Sequence, residues 1–356
     1  MAAETSIIIS KPWRKKSPPR RILAIRLQAM GDTIITMPYL LALKKSLPAN
    51  TRLDFLTREE VADIPKNLKL FNKVYCLKGG RDFKRQYLFA CLLLTKLFLN
   101  RYNIVIDLQN NPLSRLVRKC MMPAAWSEFD RFSPLPAGER TCMTIEAIGL
   151  GENFIDTQLV LKTAHRTDEI LKENGWDGES GLVVLNPAGA FATRNWGLDN
   201  YVAFANLWLA RFPSTQFVIP GTIVIAEQAA YIKQLLGSSL INLVGKTSAA
   251  QAFAIIQKAQ FVLSEDSGLM HMAWVSGVPT IALFGSTRSD WSRPLGENSL
   301  LLCSDDLPCG NCMLAICKYG DVHCLTRYTA RFVMEKIAAF LQLETPVQKL
   351  KGGGLP

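Results

Sequence analysis

The chain has 356 residues, of which 49% are hydrophobic and 20% are charged. This composition is typical of globular proteins and excludes disordered, collagen-like and coiled-coil chains. At roughly 150 residues per domain, the length predicts two domains. Forty-one Lys and Arg against 30 Asp and Glu give a net charge of +11, which favours an anionic partner: nucleic acid, acidic lipid or a phosphorylated small molecule.

The excess positive charge is concentrated at the amino terminus, where six Lys and Arg and one Glu give the first 21 residues a net charge of +5. This arm has no apolar segment followed by a small-residue cleavage site, so it is not a secretory signal. We expect a flexible basic extension over residues 1–20 of a cytoplasmic protein. The longest apolar stretch, Leu88–Leu99, is interrupted by Lys96 and is shorter than the ~20 residues that span a bilayer, so no transmembrane helix is predicted.

Short β-branched runs alternate with amphipathic stretches, which is typical of βα units in parallel sheets. The first half predicts strands at 22–25, 52–56, 73–77 and 103–108 and helices at 33–46 and 83–99, the latter a core helix for most of its length. The second half predicts strands at 182–186, 216–219, 260–263 and 280–284 and helices at 199–211, 224–236, 248–258 and 268–276. The predicted fold class is therefore α/β, with two doubly wound domains over 21–165 and 166–345 and a disordered tail over 346–356.

Ligands of parallel α/β sheets bind at the carboxyl ends of strands, so the loops after the strands are candidate sites. After strand 22–25, Gly31 would permit a tight turn. Asp32 would either cap the helix that begins at Thr33 or act as a general base. In the loop 187–196, Arg194 is either a phosphate clamp or an ordinary solvated arginine.

The loop after strand 260–263 carries a second group of candidates. Ser267 and Gly268 open a helix whose free N–H groups would suit a diphosphate, whereas Asp266 is alternatively an N-cap and His271 a core histidine. The loop 284–287 should lie beside it. A nicotinamide-dependent enzyme and an ATPase are both disfavoured, because the sequence has neither a G-x-G-x-x-G run after the first strand nor a complete P-loop.

Taken together, these segments resemble the ADP-heptose:lipopolysaccharide heptosyltransferases of glycosyltransferase family 9. The resemblance runs from about residue 21 to 340. It rests on Arg26–Pro38, Arg194–Trp196, Gly245–Ser248, Asp266–His271, Gly277–Pro279 and Leu283–Gly285. The run Asp266-Ser-Gly-Leu-Met-His271 followed by Gly-Val-Pro is its most specific part.

The resemblance implies a GT-B fold with two Rossmann-like domains facing across a cleft, the first binding the acceptor and the second the nucleotide sugar. It implies transfer of heptose from ADP-heptose to a lipid A–Kdo inner-core acceptor, with inversion and without a required cofactor. Asp32 would be the base, Gly31 and Arg26 would bind the acceptor, and the donor would contact Arg194, Asp266, Ser267, Gly268, His271 and Thr287. Arg194 stands where the family usually has Lys, and Ala188 and Pro220-Gly221 replace glycines usual in the donor loops.

The partners implied are therefore the donor, the acceptor and, in peripheral contact at the inner face of the inner membrane, an anionic lipid surface. Nucleic acid is not expected, because no recognised motif supports it. Two alternatives stay open: an epimerase or hydrolase of the same fold, and a non-catalytic protein that binds nucleotide sugars or lipopolysaccharide.

The cysteines form one cluster near the carboxyl end. Cys309, Cys312, Cys317 and Cys324 follow a C-x₂-C-x₄-C-x₆-C pattern beside His323. In a chain without a secretory signal, such residues are better interpreted as thiols or metal ligands than as a disulfide framework. The spacing predicts a structural zinc site, with free thiols as the alternative.

Overall fold

The structure is a computed structural model and describes residues 8–343 except Arg81 and Ala190. The predicted tail over 346–356 and the first seven residues of the arm lie outside this range. The described strands form two six-stranded sheets, one in each half of the chain. The predicted α/β class with two doubly wound parallel sheets is confirmed.

The first sheet has the strand order β1-β6-β5-β2-β3-β4. All neighbouring strands are parallel except β1, which is antiparallel to β6. The elements of this half are β1 (Ser10–Lys11), β2 (Arg21–Ile25), α1 (Met30–Ser46), β3 (Arg52–Arg58), α2 (Asp63–Asn67), β4 (Lys73–Leu77), α3 (Phe83–Leu99), β5 (Ile104–Asp107), α4 (Pro112–Met121), β6 (Ala125–Glu128) and α5 (Ala137–Glu146).

The second sheet is entirely parallel, with the order β12-β11-β10-β7-β8-β9. Its elements are α6 (Thr167–Glu173), β7 (Gly181–Asn186), α7 (Leu198–Arg211), β8 (Thr215–Gly221), α8 (Ala226–Leu236), β9 (Leu240–Val244), α9 (Ala249–Ile256), β10 (Phe261–Glu265), α10 (Gly268–Val275), β11 (Thr280–Leu283), α11 (Ser289–Ser292), β12 (Ser299–Leu302), α12 (His323–Thr326) and α13 (Ala330–Phe340). Helices cover both faces, so the central strands are apolar and buried.

The amino-terminal arm is not a flexible extension over its whole predicted length. Ser10 and Lys11 pair with β6 at the sheet edge, and the N–H of Trp13 donates to the carbonyl of Ile148 at 2.7 Å. Trp13 also packs against the hydrophobic core. The charge of the arm does not reveal this order. Trp13 and the pairing with β6 hold the backbone in place, whereas the neighbouring lysines stay exposed.

Helix α3 is less buried than predicted. Its inner face packs on the first sheet through Ala90 and Leu97, but Leu88, Leu92 and Leu99 are 61%, 62% and 78% exposed. The interpretation as a core helix for most of its length is wrong, because the sheet and α4 cover only one side. Across the part of the chain that the structure describes, no helix is long and apolar enough to cross a membrane.

The two halves meet where α1 packs against α10 within one continuous hydrophobic cluster. Helix α1 follows the loop after β2, and α10 follows the loop after β10. Their contact therefore brings the candidate loops of the two sheets together.

Candidate active site

Asp32 lies in the first turn of α1, which begins at Met30, three residues earlier than predicted. Ala29 is the N-cap residue, so the expectation that Asp32 caps a helix at Thr33 is wrong. Its Oδ2 instead accepts from the N–H of Ala29 at 3.1 Å, the return bond of a capping box. The carboxylate thus satisfies the helix end and still presents a side chain that is 38% exposed.

Arg26 stabilises the negative charge of Asp32. The Arg26 Nη2 and Asp32 Oδ2 atoms are 2.8 Å apart. Burial raises the pKa of Asp32, but the Arg26 charge and the Ala29 N–H outweigh it and hold the pKa below its ordinary value. The carboxylate is therefore ionised at neutral pH and can accept a proton.

Asp32 lines a cavity of about 310 Å³ that we name the arginine cavity. Its lining residues are Arg26, Gln28, Ala29, Asp32, Gln109, Phe129, Arg131 and Arg140. Three guanidinium groups against one carboxylate make it a site for an anion. The guanidinium carbons of Arg26 and Arg140 lie 4.9 and 5.0 Å from the Phe129 ring centroid.

The loop that carries Arg26 is held in place by Gln109, which follows β5. The Gln109 Oε1 accepts from the N–H groups of Leu27 and Gln28 at 2.9 and 3.0 Å. The Gln109 N–H in turn donates to Asp107 Oδ1 at 3.1 Å, and Ser114 donates to Asp107 Oδ2 at 2.9 Å. Burial raises the pKa of Asp107 to about 6 despite these donors.

Gly31 is required by close packing rather than by a turn. It lies within α1 and is not among the glycines with positive φ. A Cβ at this position would stand 2.9 Å from Cδ2 of His271 and 3.4 Å from its Nε2. The first turn of α1 therefore lies directly against a side chain of α10.

His271 makes this contact as a neutral ring. Its Nδ1 accepts from the Trp274 Nε1–H at 3.0 Å, which assigns the ring proton to Nε2. Burial lowers the pKa of His271 and outweighs the opposing charges of Asp266 and Asp32. His271 is thus a buried histidine that also joins the two loops, and its predicted contact with the donor stays a prediction.

Arg194 and Asp266 form an ion pair beside the start of α10. The Arg194 Nη2 lies 2.6 Å from Asp266 Oδ2 and also donates to the Asp266 carbonyl at 2.6 Å. Asp266 is not the N-cap, because Ser267 caps α10 and its Oγ accepts from the Met270 N–H. The structure brings Arg194 next to the predicted diphosphate site, already paired with a carboxylate.

A second cavity, of about 230 Å³, opens between α10, α9 and the loop after β8, and we name it the apolar cavity. Ser267 and Gly268 line it, together with Met30 of α1. Its other lining residues are Ala188, Gly221, Thr222, Ile225, Thr247, Ser248, Ala249, Ala252, Leu269 and Met272. Its mostly apolar wall suits a nucleoside.

Glu265 holds the loop that carries Arg194. Its Oε1 accepts from the N–H of Trp196 at 2.7 Å and its Oε2 from the N–H of Gly189 at 2.6 Å. Burial raises the pKa of Glu265 to about 7, although these donors, Tyr201 and the charge of Arg194 lower it. Sequence reasoning missed Glu265, although it directly precedes Asp266 in the most specific motif.

Thr287 is buried, and its hydroxyl has no hydrogen-bond partner among the described residues. Next to it, Ser286 Oγ lies 2.9 Å from the Thr193 Oγ1, and its carbonyl accepts from the Met313 N–H at 2.8 Å. The segment 303–324 therefore packs against the loop after β11. Whether Thr287 contacts a ligand stays a prediction.

The four clustered cysteines line a third cavity, of about 250 Å³, between the segment 303–324 and Ser286. Burial, followed by the charges of Cys312, Cys317 and Cys309, raises the pKa of Cys324, so the thiols are neighbours. Within residues 8–343, apart from the two omitted positions, no three His, Cys, Asp or Glu side chains converge as ligands of one metal ion. The zinc site stays a prediction, because the described side chains are not already arranged around one metal position.

Comparison with known proteins identifies the family. The sequence profile of glycosyltransferase family 9 (heptosyltransferase) matches residues 139–323, just over half of the chain. The chain belongs to glycosyltransferase family 9. The matched range includes Arg194, the α10 motif and the first three clustered cysteines.

Relatives of this family 9 enzyme cover most of its length. Lipopolysaccharide heptosyltransferase 3 of Escherichia coli (strain K12) is 23% identical over 291 residues, which are 75% of this chain and 83% of the relative. The fold matches a family 9 glycosyltransferase from Veillonella parvula DSM 2008 with a TM-score of 0.76 at 18% identity, over 91% of this chain and 98% of that one. It matches Escherichia coli ADP-heptose lps heptosyltransferase II with a TM-score of 0.69 at 19% identity, over 90% and 98% of the two chains.

The family 9 fold, GT-B, accounts for the juxtaposition of the predicted residues. Asp32, Gly31 and Arg26 lie at the start of α1, and the residues of α10 meet them from the second sheet. Phe129, Arg131 and Arg140 of the arginine cavity were missed, because the short strand β6 before them was not predicted. The basic and aromatic run after β6 is the signal that could have found them.

Proposed function

We propose that this glycosyltransferase moves heptose from ADP-heptose to an inner-core lipopolysaccharide acceptor of the lipid A–Kdo type, with inversion at the anomeric carbon. The observation that carries the proposal is the position of the first turn of α1 between two cavities. Asp32 lines the arginine cavity, whereas Met30, two residues earlier, lines the apolar cavity. A base in one cavity thus stands beside a second, mostly apolar cavity that suits a nucleoside.

In the proposed reaction, the acceptor hydroxyl attacks the anomeric carbon and passes its proton to Asp32. The bond from that carbon to the phosphate oxygen breaks, and ADP leaves with the electron pair. Because attack and departure occur on opposite faces, the configuration inverts. The developing phosphate charge would be stabilised by the N–H groups at the start of α10 and by Arg194. This scheme needs no metal at the reacting atoms.

The arginine cavity supports an anionic acceptor. Its walls carry three guanidinium groups and the amide side chains of Gln28 and Gln109, which match carboxylate or phosphate groups on a sugar. We therefore place the acceptor in the arginine cavity and the adenosine of the donor in the apolar cavity.

The activity is tested with purified protein, ADP-heptose and an inner-core acceptor. Release of ADP that requires the acceptor, with a heptosylated product by mass spectrometry, would support transfer. Release of ADP without acceptor would indicate a hydrolase. Binding of ADP-heptose with neither product would indicate a non-catalytic protein.

Arg194→Ala is expected to weaken ADP binding by about tenfold, because the diphosphate loses a charge-assisted donor. Isothermal titration calorimetry with ADP measures it. Lys258→Ala, which removes the ion pair with Asp168 on the outside of the same half, is the matched control and should leave ADP affinity unchanged. Equal affinities for the parent and Arg194→Ala would contradict the assignment.

Arg131→Gln is expected to raise the KM for the acceptor by about tenfold with a smaller change in kcat, because it lines the arginine cavity without touching Asp32. Steady-state kinetics with varied acceptor measure this. Arg52→Gln, at the opposite end of the first sheet, is the control. A parental acceptor KM in Arg131→Gln would remove this residue from the acceptor site.

We propose further that Cys309, Cys312, Cys317 and Cys324 hold a structural zinc ion that takes no part in transfer. Support comes from the position of the four thiols around one cavity, since sulfur ligands of this number and spacing suit a tetrahedral zinc ion. About one equivalent of zinc is expected in protein purified without chelator. Less than about a tenth of an equivalent, with all four thiols freely titrating, would contradict a site as tight as such sites usually are.

Since the proposed acceptor is a lipid, we also propose that the enzyme works at the periphery of an anionic membrane, at its cytoplasmic face. Support comes from the net charge of +11, since each Lys or Arg near an anionic lipid surface contributes about 1 kcal/mol.

A further inference from the structure

The solvent-facing side of α3 is an apolar stripe. Leu88, Leu92 and Leu99 are more than half exposed, and Thr95 and Cys91 lie exposed between them. Their spacing of three, four and seven residues places them on one face of the helix. The opposite face, through Gln86, Ala90 and Leu97, is buried.

Cations flank this stripe. Lys84 and Arg85 lie exposed in the first turn of α3 and Lys96 near its end. The residues Phe83–Leu99 include no Asp or Glu, and the N-cap residue Asp82 lies with its Oδ2 3.6 Å from the Arg85 Nε. The neighbouring α4, which packs against α3, ends with a further exposed apolar and basic pair, Met122, which is 74% exposed, and Lys119. An apolar face bordered by Lys and Arg is typical of helices that lie in the interface of an anionic membrane.

We propose that α3 is the helix by which this enzyme lies on an anionic lipid surface, with the Leu88, Leu92 and Leu99 side chains inserted among the acyl chains. The inference rests on the proposed function in one respect, namely that the acceptor is a membrane lipid. Charge complementarity decides the occupant. A second copy of the chain would set Lys84, Arg85 and Lys96 against the same cations across a twofold axis, whereas anionic headgroups attract all three.

The topology favours access to the acceptor. Strand β4 is parallel to β3, and β3 is parallel to β2. Helix α3 therefore begins at the carboxyl ends of the strands, as does the loop that leads from β2 to Asp32. Lys84 and Arg85 therefore lie at the same end of the first sheet as the residues that line the arginine cavity. A lipid surface against α3 would lie beside the half that we expect to bind the acceptor.

The test is flotation of the full chain with vesicles of phosphatidylcholine, alone or with about a third phosphatidylglycerol. The parent should bind the anionic vesicles, and Leu88→Ser/Leu92→Ser should bind at least about tenfold more weakly, because the inserted apolar area is lost. Lys84→Gln/Arg85→Gln/Lys96→Gln should weaken binding to the anionic vesicles and reduce its sensitivity to salt. Leu235→Ser/Val160→Ser, which changes exposed apolar residues elsewhere, should bind as the parent does.

Parental vesicle binding by Leu88→Ser/Leu92→Ser would overturn the proposal and assign the contact to another surface such as the basic arm. Dimerisation of the parent that this variant abolishes, measured by sedimentation without lipid, would assign the stripe to a second copy instead. Transfer to a delipidated, soluble acceptor should be equal in the parent and this variant. That assay separates the two proposals, because its failure in the parent speaks against the enzyme function and not against α3.

Discussion

Asp32→Asn is expected to lower kcat by about 10²–10⁴-fold, the usual contribution of a general base. The amide oxygen can still accept from the Ala29 N–H, so α1 should begin as before, but the side chain can no longer take the acceptor proton. ADP affinity should stay near the parental value, since Asp32 lines the arginine cavity and not the apolar cavity. Steady-state transfer and calorimetry with ADP measure the two effects.

Asp156→Asn is the matched control for this change. Asp156 is also ion-paired, its Oδ2 lying 2.7 Å from the Lys45 Nζ, but it does not line the arginine cavity. Its kcat should be parental. If Asp32→Asn turned over as fast as this control, Asp32 could not be the base.

Gly31→Ala should lower kcat by about 10–100-fold, because displacing reacting groups by about 1 Å costs up to about 10²-fold. The added Cβ would stand 2.9 Å from the His271 ring, and this ring is buried and hydrogen-bonded to Trp274. The ring cannot yield easily, so the first turn of α1 must move and carry Asp32 with it.

The melting temperature of Gly31→Ala should fall only modestly, because the helix-propensity gain of about 1 kcal/mol from Gly to Ala offsets part of the about 1–3 kcal/mol that overpacking against a buried ring costs. A crystal structure or the kinetics of the variant tests the displacement. Parental kcat would mean that α1 and α10 separate or slide without consequence, and the contact would then have no part in positioning the base.

Most of the architecture could be predicted because the central strands are continuous apolar runs between amphipathic helices. The strand 73–77 and the helix 83–99 have the predicted bounds. Short or mixed segments could not be predicted: β6 contains Trp126, Ser127 and Glu128, and its pairing with β1 and β5 determines its conformation. Burial of the outer face of α3 was overestimated, because hydrophobicity does not reveal which side of a helix finds a partner.

The candidate site, like the fold, was predicted only in part. Asp32, Arg194 and the α10 motif could be named from the sequence, since each follows a predicted strand. Their electrostatic partners could not: the Arg26–Asp32 and Arg194–Asp266 pairs depend on side-chain directions within irregular loops. The reason assigned to Gly31 was wrong, because contact with His271 across 240 positions of sequence leaves no local signal.

Asp107 and Glu265 hold corresponding places, each as the last residue of the strand beside the first parallel strand of its half, β5 next to β2 and β10 next to β7. Their raised pKa values, about 6 and about 7, mean that folding takes up protons between the ordinary carboxyl range and these values. Their contribution to the free energy of unfolding therefore falls as pH rises through that interval. Only the ionised groups accept the full set of N–H bonds that hold the Arg26 and Arg194 loops. At pH values above the pKa of Glu265, the enzyme thus keeps the loops of both halves ordered with two charges that lower its own stability. Acidification would relieve that cost and loosen both loops together.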